Sequence, residues 1–369
     1  MQTGERRVVA ALWSVSGVGP VTLRQVRDRA GPFGELLERP LAEWTHLIEW
    51  KGDALPSLAG VECLAQVADR LEQQLARLGY EVAFEGDPAW PPRLLKVDTV
   101  TPVLFVLGPG ARAAPRRRAA MVGTRHPDTG FQAEARKFAR GLAAHGVGIV
   151  SGAAVGIDQA CHLGALDLGA ETWAFLGCAI DQMDDAQRRL YRPFRDLGGT
   201  FFSQYPPGTR SERSTFPRRN RLIAGAADAV VVLRAGGRSG ALHTVKYARE
   251  QGRPVLAMPG DFFNPAAEGC NELLRKGAAR VCVSPADVLD AVGLADRLSS
   301  PDWKAAPTGA LSQNASAVLA VLSRTPSDFD EVLSRCQRLG SGAVGAALLE
   351  LELGGFVVQK PGRRYEKVE

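Results

Sequence analysis

The chain has 369 residues, 45% of them hydrophobic and 23% charged. That is too long for one ordinary core and too apolar for extensive disorder, so two or three folded domains are expected. The net charge is only +5, yet residues 111–290 carry 25 Lys and Arg against 17 Asp and Glu, while the flanks are acidic or neutral. A basic excess confined to the middle is the footprint of a segment that meets an anionic partner.

No stretch approaches the roughly 18 consecutive apolar residues of a membrane helix. Met1–Arg7 leads into a short mixed segment rather than a secretory core, which sets the cytoplasm as the expected location. Cys63, Cys161, Cys178, Cys270, Cys282 and Cys336 are scattered without a Cys-x-x-Cys pair, and the five histidines are equally dispersed. Buried free thiols are expected, and neither a metal site nor a disulfide framework.

Residues 1–79 read as a small helical domain. An apolar-periodic stretch ends at Ser16, Gly17-Val18-Gly19-Pro20 follows, and a second helix begins near Val21. Pro20 suits a first helical position and the glycines suit a tight turn. This helix–Gly-x-Gly–helix pattern can hold a DNA phosphate on its turn amides. A plain packing hairpin explains it equally well, because the segment is acidic.

From 80 to 292 short apolar runs alternate with helical stretches. The runs are Ala119–Val122, Val147–Val150, Thr172–Leu176, Thr200–Ser203, Ala229–Leu233, Pro254–Met258 and Arg280–Val283. Unbroken Val/Ala/Leu strands between helices imply a parallel sheet covered on both faces, a doubly wound α/β domain. Its ligands are expected beyond the C-terminal strand ends. Segment 80–110 adds a lead-in strand or two. Residues 293–312 are polar and read as a linker. Helices near 315–323, 327–337 and 341–353, then Gly354-Gly355 and a hairpin-like run over 356–365, make residues 313–369 a winged-helix-like domain. It can serve duplex DNA or a protein partner, and its zero net charge favours the partner.

Three glycine turns fall where strands hand over to helices. They are Gly123-Thr124-Arg125, Ser151-Gly152-Ala153-Ala154-Val155-Gly156-Ile157-Asp158, and Gly236-Gly237-Arg238-Ser239-Gly240. Such turns let a backbone approach an anion while the following helix points its amides at it. The densest basic feature is Arg210 to Arg221, with five arginines and one glutamate. Arg218, Arg219 and Arg221 are expected on the first turn of a helix, where positive charge opposes the dipole and a bound anion relieves the conflict. No Walker sequence and no strict Gly-x-Gly-x-x-Gly fingerprint occurs, which argues against ATP hydrolysis by this chain. Asp158 is expected to brace the Gly156 turn. His162, one turn later, is placed to bond to Asp158 in a structural role.

These motifs, in this order, resemble the DNA-processing protein A (DprA/Smf) family. The match runs through Val122-Gly123-Thr124-Arg125, Ser151-Gly152 to Asp158, Phe216-Pro217-Arg218-Arg219-Asn220-Arg221, Arg238-Ser239-Gly240, Arg253-Pro254 and Gly269-Cys270-Asn271. The resemblance implies an extended Rossmann-like core with a small helical N-terminal domain of the helix-hairpin-helix or SAM-like kind and a winged-helix-like C-terminal domain. It implies a non-catalytic, cofactor-free homodimer that binds single-stranded DNA, protects incoming or exposed strands and loads the RecA recombinase. Its setting is natural transformation, with DNA repair as a further role, and the terminal domains are open to duplex DNA or to a protein partner. Carried over, the DNA-contacting residues are Gly123, Thr124, Arg125, Ser151, Gly152, Arg218, Arg219, Asn220, Arg221, Arg238, Ser239 and Lys246.

The chain departs from the family pattern at Gln204, where an acid is common, at Arg234, where an acid precedes the last glycine turn, and at Arg238, where a lysine is usual. The first two changes are expected to favour an anion. The rival reading is a nucleotide phosphoribohydrolase of the lysine-decarboxylase-like type. It needs a carboxylate near the last glycine turn to stabilise an oxocarbenium-like state, where this chain carries arginines.

Overall fold

The computed structural model describes residues 3–52, 54–96, 101–112, 117–296, 312–336, 339–353, 356–360, 362 and 364–367. The first segment is helical: α1 (Thr3–Ser14), α2 (Pro20–Ala30), α3 (Ala54–Ser57) and α4 (Leu64–Leu78). Pro20 opens α2, where its missing N–H is harmless. α4 buries Leu64, Ala68, Leu71 and Leu75, a spacing that turns one stripe to the core. Between α1 and α2 the chain turns through Gly17 at φ 82°. A side chain there would collide with the Lys51 carbonyl, so the turn is packed on the chain's own backbone. That favours the packing hairpin over the phosphate-holding one. The apolar residues of these helices share one cluster with Phe84, Val103, Phe105, Leu176 and Phe201. The Trp13 indole N–H also donates to the Gln204 carbonyl at 2.7 Å.

The middle of the chain runs β1 (Glu81–Phe84), β2 (Val103–Leu107), β3 (Arg118–Gly123), α5 (Thr129–Ala144), β4 (Gly148–Ser151), α6 (Ile157–Leu166), β5 (Thr172–Phe175), α7 (Asp185–Leu197) and β6 (Thr200–Ser203). It continues α8 (Thr215–Gly225), β7 (Ala229–Arg234), α9 (Ala241–Glu250), β8 (Val255–Ala257), α10 (Glu268–Arg275), β9 (Arg280–Val281) and α11 (Pro285–Ala291). Among the described residues these nine strands form one sheet in the order β1-β2-β6-β5-β4-β3-β7-β8-β9. β3 to β9 are parallel, and the lead-in pair β1 and β2 is antiparallel at one edge. The sheet is therefore mixed, with the lead-in strands accounting for its antiparallel edge.

Strand periodicity divides the core into two faces. Ala120, Val122, Val230 and Val232 meet Leu222, Ile223, Val245 and Cys270 on one side. Ala119, Met121, Val231 and Leu233 meet Ala135, Ala139, Ile157 and Val288 on the other. Large hydrophobics fill both layers, which explains why the strands lack polar alternation. The chain builds outward from β3 to β6, then returns to place β7 on the other side of β3. The β3/β7 boundary is thus the switch point of the sheet.

The C-terminal part holds α12 (Gln313–Val321), β10 (Ser327–Asp328), α13 (Phe329–Arg335), α14 (Ser341–Leu353), β11 (Val357–Lys360) and β12 (Arg364–Lys367). Its strands pair in the order β10-β12-β11 over a core of Val318, Val332, Val344, Leu351 and Val357. This is the winged-helix arrangement. Gly354-Gly355 and most of the expected linker lie outside the described residues. The six cysteines are free thiols, five of them buried and Cys63 partly so.

Candidate nucleic-acid interface

The three glycine turns converge at the C-terminal edge of the sheet. The Thr124 N–H donates to the Arg234 carbonyl at 2.8 Å, which joins the first turn to the end of β7. Gly156, at φ 90°, opens α6 directly against the Thr124 and Arg125 carbonyls, where a Cβ would stand 2.7 and 2.8 Å from the two oxygens. Only glycine satisfies both the left-handed backbone and that approach. Gly123 lies against Ile157. α8 spans the second and third turns: Arg219 reaches the Gly152 carbonyl, and the Asn220 amide donates to the Gly240 carbonyl at 3.3 Å.

Several amides of these turns are used inside the protein. Gly152 and Ala154 donate to Asp158 Oδ2 at 3.2 and 3.3 Å, and the Ile157 N–H donates to the Thr124 carbonyl at 3.3 Å. The His126 N–H donates to Thr124 Oγ1, the Ser239 N–H to the Gly236 carbonyl and the Ala241 N–H to Ser239 Oγ. These bonds engage part of the turn backbone, and the charged side chains facing outward around it are guanidinium groups. Arg125, Arg218 and Arg238 are exposed and Arg221 partly so, with Arg210 and Arg213 exposed on the approach to α8. The Arg125 guanidinium stands 5.2 Å from the Phe216 ring centre, a cation–π arrangement that fixes its direction. Phe216 escaped the sequence reading as a site residue, although Phe216-Pro217 at a helix start is a visible signal for a ring beside that rim.

Several expected contact residues sit away from that rim. Ser151 is fully buried and donates to the Met121 carbonyl at 2.6 Å. Gly152 is buried under Arg219, and a Cβ there would lie 2.5 Å from Arg219 Nη1. Arg219 is 4% exposed and donates to the Gly152 and Phe175 carbonyls at 2.5 and 2.6 Å. Lys246 lies more than a turn into α9 and faces Glu250 at 3.9 Å, on a shallow groove with Leu242, Val245 and Arg249. Asn220 is also buried, and Ser239 is engaged with the start of α9.

α8 begins at Thr215, so only Arg218 of the basic triplet falls on its first turn, and Arg219 and Arg221 belong to the second. The expected dipole conflict therefore reduces to one residue. Arg234 donates to Asp128 Oδ2 at 3.2 Å and lies 3.6 Å over the Phe131 ring, while Asp128 also caps α5. That departure is neutralised internally and adds no cation to the rim. Gln204 donates to the Tyr205 hydroxyl at 2.9 Å and accepts Trp13 through its carbonyl, so it belongs to the seam with the N-terminal helices.

Asp158 braces the Gly152–Ala154 stretch, whose central Ala153 takes a left-handed φ of 58°. Burial pushes the Asp158 carboxyl up, while Arg219 and the two amides oppose that rise. His162 does not reach Asp158. Its Nδ1 lies 2.7 Å from Thr172 Oγ1, and that hydroxyl itself donates to the Ile149 carbonyl. Nδ1 therefore carries the proton. Burial, with Arg219 adding repulsion, pulls the imidazole down to about 3. Neither residue offers an acid or a base to the surface. Among the described residues no group of His, Cys, Asp and Glu is placed to hold a metal ion. None of their helices is long and apolar enough to cross a membrane.

Comparison with known proteins agrees with this architecture. The model of the DNA recombination-mediator protein A family matches residues 81–293, and that of the DprA winged helix domain matches residues 303–363. Protein Smf of Synechocystis is 31% identical, over 96% of this chain and 97% of its own. The X-ray structure of DNA processing protein A from Streptococcus pneumoniae superposes with a TM-score of 0.59 at 26% identity, covering 78% of this chain and 98% of that one. A Helicobacter pylori DNA processing protein A, whose study concerns its single-stranded DNA binding mode, has a TM-score of 0.51 at 23% identity over 57% of this chain and 94% of its own, which shows the shared fold. With the family model spanning more than half of its length, the chain belongs to the DNA recombination-mediator protein A family.

Proposed function

We propose that this protein is a single-stranded DNA-binding recombination mediator without catalytic activity of its own. It protects incoming or exposed strands and delivers the RecA recombinase onto them, in natural transformation and in repair. The observation that carries this reading is the outward set Arg125, Arg218, Arg221 and Arg238, with the Arg125 guanidinium against Phe216. Guanidinium groups match phosphate geometry and stack on bases, which suits a strand bound through its backbone with little sequence readout. The named binding mode of the Helicobacter pylori relative supports the same ligand.

The protein works in the cytoplasm as a homodimer, and pairing two rims raises avidity. The working division is a helical part over 1–79, the DNA-binding part over 80–292, a linker over 293–312 and the winged-helix part over 313–369. The terminal parts take duplex DNA or protein partners. ATP turnover during strand delivery belongs to RecA. The hydrolase alternative is disfavoured because Asp158 and His162 are buried in structural bonds and Arg234 occupies the position before the third turn.

The test is fluorescence anisotropy with labelled oligo-dT and a duplex of matched length, for wild type and Arg125→Ala. Preference for the single strand, weakened roughly tenfold by the substitution through loss of one charge-assisted contact, is expected. Equal binding by the variant, or release of free base from nucleoside monophosphates by the wild type, would refute the reading.

A further inference from the structure

Beyond the arginine rim, one feature of the same sheet edge has no role in packing. Phe262 and Phe263 follow β8 and are 86% and 85% exposed. Their ring centres are 5.2 Å apart with an interplanar angle of 82°, so most of each ring surface faces solvent. Consecutive phenylalanines this exposed give up their hydrophobic stabilisation, which a soluble protein tolerates where the rings meet a ligand.

The loop that carries them is braced. The Phe263 and Asn264 N–H groups donate to the side chain and carbonyl of Asp261 at 2.9 and 3.0 Å. Asn264 Oδ1 takes the Ala266 N–H at 2.9 Å, and Asn271 clamps Gly260 through both its amide oxygen and nitrogen at 3.1 Å. The loop also adjoins the Arg238 turn: the Gly269 N–H donates to the Ala235 carbonyl at 2.8 Å, and the Pro265 carbonyl packs on Gly236. The loop is thus joined, at the C-terminal ends of β7 and β8, to the turn that carries Arg238 and takes the Glu268 carboxylate against Gly237.

We propose that Phe262 and Phe263 form a base-stacking platform for the single strand, an inference that rests on the reading of the arginine rim as its phosphate site. The neighbouring chemistry selects this occupant. Cations on one side and two open rings on the other match the alternation of phosphate and base along a strand. The flanking residues Asp261 and Asn264 are polar, so the rings are an isolated pair rather than the centre of an apolar protein interface. The Asp261 carboxylate is turned onto the Phe263 N–H, which directs its charge into its own loop. A paired duplex hides its base faces, so the platform adds preference for single strands.

The test compares oligo-dT with an abasic strand of the same length, by anisotropy, for wild type and Phe262→Ala/Phe263→Ala. Wild type is expected to bind oligo-dT at least about tenfold more tightly than the abasic strand. The double variant is expected to bind both alike, at the wild-type abasic affinity and with the wild-type salt dependence. Both rings are exposed, so thermal unfolding is expected to stay unchanged, and Phe262→Trp/Phe263→Trp to restore the discrimination. A double variant that still discriminates would overturn the platform. So would one that changes only the sedimenting mass, which would make the rings a contact between copies of the chain. If wild type binds neither strand, the arginine-rim reading itself fails, a result distinct from either of these.

Discussion

At the scale of single residues, the site is defined by which polar groups are already satisfied. Asp158 braces its turn, the role its sequence position suggests. Ser151 and Gly152 are the small residues at a strand end that commonly meet ligands, yet each is tied into the fold by a specific bond. Sequence could place them at the edge of the sheet. It could not say which way they face, because that depends on Arg219 arriving from a helix 67 positions away in the chain. His162 gives a measurable consequence of its burial. Its imidazole titrates near 3 in the fold against an ordinary 6.5, so the unfolded chain takes up a proton that the fold refuses. This group leaves stability untouched above pH 6.5 and lowers it progressively as pH falls from 6.5 toward 3. At pH 5 the loss is about 2 kcal/mol relative to neutral pH. Urea unfolding of wild type and His162→Gln at pH 7 and pH 5 reads it: the wild type should lose about that much more. Parallel losses in the two proteins would contradict it.

At the scale of elements, α8 is the piece on which the reading turns. Its sequence announced a basic helix start, and its register sorts the arginines into two kinds. Arg218 faces solvent at the fourth position, while Arg219 points inward to the Gly152 and Phe175 carbonyls. Alternating inward and outward arginines cannot be separated by composition, since both are Arg-Arg in a row. Arg219→Ala should therefore destabilise the protein by about 3 kcal/mol, because it removes a buried charge from beside Asp158 and leaves two carbonyls unpaired. Arg218→Ala should leave stability unchanged within about 0.5 kcal/mol and weaken DNA binding. Thermal melts paired with anisotropy separate the two, and equal melting temperatures would contradict the inward assignment. The strands, by contrast, were legible to within a residue or two, because unbroken Val/Ala runs have few alternatives to a doubly covered sheet. The antiparallel lead-in pair was legible as strands but not in its direction.

At the scale of the whole molecule, the two edges of the sheet divide the labour. The C-terminal edge carries the candidate interface. The opposite edge carries Asp228, buried at the start of β7, which accepts from Arg93, from Arg117 at 3.0 Å and from the Arg118 N–H at 2.9 Å. Nearby, Arg118 pairs with Glu171 at 2.9 Å and lies 3.8 Å over the Trp173 ring. This network ties the segment before β3 to the starts of β5 and β7, and its Arg117 and Arg118 are balanced by Asp228 and Glu171. The basic excess of the middle segment therefore includes arginines with structural roles, Arg118, Arg219 and Arg234 among them. Asp228→Ala should cost about 3–5 kcal/mol, as expected when a buried partner is removed from paired cations. Once folded, the variant should bind oligo-dT as the wild type does. A fall in affinity without a fall in stability would place the DNA at the wrong edge.

The most direct test of the arginine rim is the salt dependence of oligo-dT binding for wild type and for Arg125→Ala/Arg218→Ala/Arg238→Ala. If about four to six phosphates are neutralised, log affinity should fall against log salt with a slope of roughly −3 to −4 for the wild type. The triple variant should bind more weakly, with a slope shallower by about 2, since each lost phosphate contact removes about 0.7. An unchanged slope in the triple variant would show that the strand is held elsewhere and would contradict the assignment of this edge as the DNA site.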